Sequence, residues 1–252
     1  MKNIIKSDFY YYRKNIMYFI ICIVVFTVYF GTGELFMNGH EYREVDGSIS
    51  QLFQMLIKQN YFISIVMVII LTSIMQGKIQ SNRFCMYQLI KADVEEVMFS
   101  KYLVQFVLSL LLFMGVYGLA TLCMCCVTHK NLFLVFLTSP YYLLIILTEM
   151  ILLLNYSIQT VSIILWVKSG VWGIFLNWTV TVTALLPALL GTYWEEPMLI
   201  RLAKWTTPGQ MFLLGQMTTA YDIMAISVIT SLVEIIIFWF LTVYIIKRQK
   251  YT

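Results

Sequence analysis

The sequence predicts an all-α membrane protein. It reads as six transmembrane helices, an N-terminal interfacial helix, a short cytoplasmic helix and an outer re-entrant helical hairpin, in one membrane domain over 1–252. Three observations predict this class. The chain is 60% hydrophobic and 12% charged, with a mean hydropathy of +0.81, whereas soluble domains carry about 25% charged residues. A chain so apolar cannot cover itself with polar surface, so lipid is its main solvent. Its apolar residues also fall into six runs, most of them close to the ~20 residues that cross a bilayer. Finally, the basic residues divide unevenly between the connections.

The first fifteen residues form the interfacial element. Ile4, Ile5, Phe9, Tyr12 and Ile16 recur at helical spacing, with Lys2, Lys6 and Arg13 on an adjoining face, as in a helix lying in the headgroup region. The plainer reading is a basic flank, and Asp8, on the apolar side, breaks the pattern. The first span, 16–37, is longer than the ~7–15 apolar residues of a signal core. No small-residue cleavage site follows it, so it is expected to stay.

The second span covers 61–75 and is short; a start nearer Leu56, with Lys58 snorkelling to the headgroups, gives it full length. Gly77 is placed to stop it. The connection 76–101 then reads as a short helix over 82–90, with Phe84, Leu89 and Ile90 as apolar contacts. Asp93 sits at an N-cap with Glu96 three positions on, and Glu95 and Glu96 suit the positive end of a new helix that runs into the third span, 102–127. A short helix held between two spans transmits force from a soluble partner; the plainer reading is a loop on the headgroups.

The fourth, fifth and sixth spans cover 143–167, 171–190 and 223–246. Between the last two, the connection 191–222 is long. Glu195 and Glu196 precede Pro197, a favoured helix start. Met198, Leu199, Leu202 and Trp205 recur at helical spacing, residues 206–209 break the chain, and a second apolar stretch covers 211–217. Two short helices dipping into the outer headgroup region account for this pattern better than an exposed loop.

Six spans place both termini on one side. The N-terminus, the connection 76–101, Lys168 and the C-terminus hold 12 of the 17 Lys and Arg residues. The excess marks the cytoplasmic face, in a plasma membrane with both termini inside. The outer connections carry Glu34, Glu41, Glu44, Asp46, Glu195, Glu196 and Asp222 and are mildly acidic.

Two carboxyls fall inside spans. Glu149 lies in the fourth, nearer the outer face, and Glu234 near the middle of the sixth. A charged carboxylate at the bilayer centre costs at least about 2.5–3.5 kcal/mol, so each is expected to face protein or a water-filled cavity. Ser227, Ser231 and Glu234 share one helix face; Glu149, Tyr156 and Thr160 share another. Glu149, Tyr156, Ser231 and Glu234 are therefore candidates for a polar substrate path or a contact for a cationic substrate. The structural alternative is hydrogen-bonding glue between helices, or a protonated carboxyl.

Other chemistry is poorly represented. There is no G-x-x-x-x-G-K-[ST] loop for nucleotide phosphates and no H-E-x-x-H. The two histidines, His40 and His129, lie in outer connections. The five cysteines are odd in number, with Cys123, Cys125 and Cys126 in one apolar run, which reads as packing rather than as disulfides or a metal site. No nucleic-acid partner is expected.

The start KNIIKSDFYYYRKN, the segment GKIQSNRFCMYQLIKADVEEVMFSKYL, the six spans and the hairpin EEPMLIRLAKWTTPGQMFLLG together resemble a known family. It is that of the small permease subunits of bacterial ATP-binding-cassette exporters of the second exporter type, closest to those exporting peptide toxins or conferring lantibiotic self-immunity. Gly77, Arg83, Leu89, Ile90 and Lys101 follow the family's order after the second span, while Met75 and Gln76 stand where it commonly has acidic residues. The resemblance implies a transport subunit that is not itself an enzyme and holds no cofactor. ATP and Mg would be bound by separate ATPase subunits, docking on Arg83, Phe84, Met86, Leu89 and Ile90. A second permease, identical or related, would complete a dimer that exports an amphipathic or hydrophobic peptide. A membrane-embedded sensory or binding partner without transport is the alternative; a membrane enzyme using Glu149 or Glu234 and an ion-coupled transporter are further ones.

Overall fold

The computed structural model describes residues 5–8, 10, 20, 49–81, 88, 92–128, 131–214 and 220–251. These are helical apart from short connections, with no strand among them. In chain order they form α1 (Ile49–Ser81), α2 (Val94–Thr128), α3 (Leu132–Thr138), α4 (Pro140–Val167), α5 (Gly170–Tyr193), α6 (Pro197–Ala203), α7 (Thr207–Leu214) and α8 (Ala220–Tyr251). Five of them, α1, α2, α4, α5 and α8, are long and apolar enough to cross a membrane. The expected first span, 16–37, lies outside the described residues, apart from Ile20.

Local chemistry sets the boundaries. Asp93 precedes α2 and its carbonyl accepts from Val97 N–H, with Glu95 and Glu96 in the first turn, where the helix dipole favours acids. At α3, Asn131 Oδ1 accepts from Leu134 N–H. Ser139 and Pro140 open α4, the proline standing where a missing N–H costs nothing. Lys168 ends α4 in the left-handed conformation (φ 58°), and Ser169 caps α5 by accepting from Trp172 N–H. A two-residue turn therefore makes α4 and α5 antiparallel neighbours. A Cβ on Gly173 would stand 2.8 Å from the Ile164 side chain, which keeps that turn tight.

Two boundaries differ from the sequence expectation. Gly77 does not stop the second span: α1 runs on to Ser81, since one helical glycine costs only about 1 kcal/mol. Nor do Pro208 and Gly209 break the hairpin; they occupy the first turn of α7. Thr206 Oγ1 accepts from Gly209 N–H, and a first-turn proline has no intrahelical partner to lose. The helix α3 was not foreseen.

The helix α4 is the hub, packed against α1, α2, α3, α5, α7 and α8. The apolar stretches of α1 and α4 are mostly buried and those of α5 and α8 mostly exposed, so α5 and α8 are the outer helices. Chain direction alternates through the long helices, so the bundle has two ends. One is the basic end, with Lys101, Lys168 and Lys247; the other holds α3, α6 and α7. At that second end Phe53, Phe136 and Tyr142 join α1, α3 and α4, with ring centroids 4.9 Å (Phe53–Phe136) and 4.3 Å (Phe53–Tyr142) apart.

Near the basic end, Tyr102 OH lies 2.5 Å from Ser162 Oγ and donates to Thr242 Oγ1 at 3.0 Å, joining α2, α4 and α8. Trp166 Nε1 donates to Thr242 Oγ1 at 3.1 Å and its ring stacks on Phe238. An exposed ion pair, Lys247–Glu95, closes α8 on α2.

Candidate functional site

Two polar groups inside the helix assembly stand out, one at mid-span and one at the basic end.

The mid-span group is built on Glu234 of α8. Its Oε2 accepts from three neutral donors: Asn155 Nδ2 at 2.5 Å, Thr207 Oγ1 at 2.7 Å and Gln159 Nε2 at 2.8 Å. Asn155 and Gln159 stand one turn apart on α4, and Gln159 Nε2 also reaches Asn155 Oδ1 at 3.3 Å. Thr207 is the first residue of α7, so the carboxyl also faces the positive end of a short helix. Gln210, one turn further along α7, donates to Thr230 Oγ1 on α8 at 2.8 Å and to Lys204 O at 2.6 Å.

These contacts fix the course of the hairpin. Ile200 of α6 lies against Gly191 of α5, where a Cβ would stand 2.9 Å from Ile200 N. Thr206 Oγ1 donates to Ala184 O at 3.0 Å. Hence α6 runs back along α5 to a level about 13 Å below its end, at 1.5 Å rise per residue. The helix α7 turns there and runs antiparallel along α8, from Glu234 past Thr230. Seven of its residues are buried, Thr207, Pro208, Gly209, Gln210, Met211, Leu213 and Leu214. The turn is crowded: a Cβ on Gly209 would lie 2.5 Å from Ala203 O and 2.6 Å from Thr206 Oγ1.

The basic-end group is a buried ion pair. Lys101 Nζ donates to Asp8 Oδ1 at 2.6 Å, and both side chains are 0% exposed. Ser100 Oγ donates to Asp8 Oδ2 at 2.9 Å and Gln88 Nε2 to Asp8 Oδ1 at 3.0 Å. Three separate stretches of chain therefore meet on one carboxylate: the N-terminal helix, the connection before α2, and α2 itself. Asp8, which broke the amphipathic pattern of the first fifteen residues, is the residue on which these bonds meet.

The other residues singled out from the sequence fall in different places. Tyr156 OH lies 2.6 Å from Thr181 Oγ1, tying α4 to α5. Ser231 is fully buried, and its Oγ has no hydrogen-bond partner among the described residues. Glu149 is 1% exposed, and neither carboxyl oxygen has such a partner. No hydrogen bond joins Glu149 or Tyr156 to the Glu234 group. Arg83, Phe84, Met86, Leu89 and Ile90 lie outside the described residues, where Gln88 alone of the stretch 82–90 is placed. Cys123 and Cys125 pack against the apolar core, and Cys126 is exposed.

Sequence reasoning missed Asn155, Gln159 and Thr207 beside Glu234. The signal was present: two carboxamides one turn apart inside a strongly apolar span demand partners, and Glu234 is the acid at matching depth. Asp8–Lys101 carried a similar signal, an acid on an apolar face and a lysine at the start of a span.

Comparison with known proteins adds no relative: no family model, curated protein or solved structure matches this chain.

Proposed function

We propose that this chain is the membrane-spanning permease subunit of an ATP-driven exporter of the ATP-binding-cassette type, moving amphipathic or hydrophobic peptides out of the cell or membrane. The observation that carries the reading is the meeting of three chain segments on Asp8. Gln88 belongs to the segment expected to receive the ATPase, and it bonds the carboxylate that Lys101 and Ser100 of α2 hold. A push on that segment passes into α2 and the N-terminal helix through a dry, charge-locked joint. From α2 it reaches α4 and α8 through the Tyr102–Ser162–Thr242 bonds. That route favours a mechanically driven permease over a passive membrane partner.

Topology supports the same reading. Asp8 lies at the basic end and α1 begins at the opposite end, which agrees with a further crossing before α1, six spans, and both termini on the cytoplasmic side of the plasma membrane. We read the hairpin α6–α7 as re-entrant, entering from the outer side and turning back at the level of Glu234; the Thr207–Glu234 bond supports this. Its buried face closes the outer end of the path until the helices move. The exposed apolar faces of α5 and α8, among them Trp172, Phe175, Ile236 and Phe240, meet lipid and a second permease. ATP and Mg are bound on separate ATPase chains.

The test acts on the receiving segment. Phe84→Ala or Leu89→Ala lowers the ATPase activity of the assembled complex while the spans still insert. Unchanged activity in both variants at equal expression would remove the segment from coupling.

A further inference from the structure

Three observations converge on Glu234. Its Oε2 accepts from three neutral donors, Asn155, Thr207 and Gln159. All of these bonds go to Oε2 and none to Oε1, and the side chain is only half-buried. Neither Lys101, which pairs with Asp8, nor Lys247, which pairs with Glu95, is its counter-charge.

An acid at mid-bilayer is expensive unless its surroundings compensate it. Here two carboxamides and a hydroxyl fix one oxygen and leave the other uncommitted, and neither Lys101 nor Lys247 supplies a counter-charge. We propose that Glu234 Oε1 is the docking point for one positively charged nitrogen, an ammonium or guanidinium carried by the transported molecule. The proposal rests on the exporter reading and narrows it to cationic amphipathic peptides. An N–H donor needs one strong acceptor, which Oε1 provides. A bare Ca²⁺ needs about 6–8 oxygens, far more than this face offers.

Binding is read without the ATPase, on the purified chain in nanodiscs of zwitterionic lipid. The probes are a fluorescein-labelled amphipathic peptide of leucine and lysine and its lysine-acetylated counterpart, with empty nanodiscs subtracted. The wild type binds the charged peptide at least about tenfold more tightly, the size of one hydrogen bond to a charged group. Glu234→Gln loses that preference but keeps the binding of the acetylated peptide, whereas Glu196→Gln, on the exposed outer connection, keeps the preference. A second measurement needs no variant. Labelling of Glu234 by a carbodiimide and a small amine, read by mass spectrometry, is slowed by the charged peptide and not by the acetylated one. Equal binding of the two peptides by the wild type, a preference retained in Glu234→Gln, or labelling that neither peptide slows would each overturn the proposal. If Glu234→Gln fails to fold, the labelling result decides. Charge-selective protection in a chain that captures no ATPase would uphold the cation site and sink the exporter reading. A captured ATPase without protection would sink the cation site alone.

Discussion

Replacing Asp8 by alanine takes the counter-charge from an ammonium that is 0% exposed. It also strips Ser100 Oγ of its acceptor at 2.9 Å and leaves Gln88 Nε2 with Ser7 Oγ at 3.3 Å. Breaking a buried ion pair from one side costs about 3–5 kcal/mol, because the remaining charge stays buried after losing the opposite one. Lys101→Met falls at the lower end of that range, since Ser100 and Gln88 still donate to the carboxylate. The double variant removes both charges, so its cost is less than the sum of the two, with a coupling energy of about 2–3 kcal/mol. The exposed pair Lys247–Glu95 is the control: both side chains are 48% exposed, and such pairs contribute about 0–1 kcal/mol. The assay is reversible unfolding in dodecylmaltoside–dodecylsulfate mixed micelles, followed by tryptophan fluorescence and circular dichroism. Single variants within about 0.5 kcal/mol of wild type, or a double variant that adds simply, would refute the joint and with it the proposed route from the ATPase into α2.

Two further predictions follow from the packing. Gly209→Val drives its side chain into Ala203 O and Thr206 Oγ1, and overpacking of this kind costs about 1–3 kcal/mol. The expected sign is faster proteolysis in the α6–α7 hairpin with the long helices intact; unchanged cleavage would show that the hairpin is not docked by this turn. Glu149→Met removes a buried carboxyl whose oxygens have no hydrogen-bond partner among the described residues. It should raise stability by about 1–3 kcal/mol, the cost of an unsatisfied buried polar group, in the same micelle titration. A loss of stability would show that Glu149 has a partner in the folded protein.

The long helices were legible because an apolar run long enough to cross a bilayer has few other fates. The starts of α2 and α6 were legible from Asp93 with its following glutamates and from Pro197, since these residues serve orphaned backbone groups locally. Gly77 and Pro208 misled for the same reason: each is a breaker only where the backbone has something to lose. At Gly77 helix continuation costs little, and in the first turn of α7 a proline loses no hydrogen bond. The Glu234 group was half legible. The acid was conspicuous, but its donors come from α4 and α7, far away in sequence, and helical spacing cannot say which faces meet. Tyr156 shows the converse: it shares a helical face with Glu149 by spacing, yet its hydroxyl is held by Thr181 of α5. Asp8 looked like a flaw because the lysine that explains it lies 93 residues further along the chain.

The central claim is that ATP-driven work enters this bundle from a separate chain. Its most direct test is a mild-detergent capture of the tagged protein from its native host, followed by an ATPase assay on what comes down. The account predicts a stoichiometric ATP-binding-cassette subunit with vanadate-sensitive activity. A clean preparation with no ATPase, reproduced in nanodiscs, would contradict it.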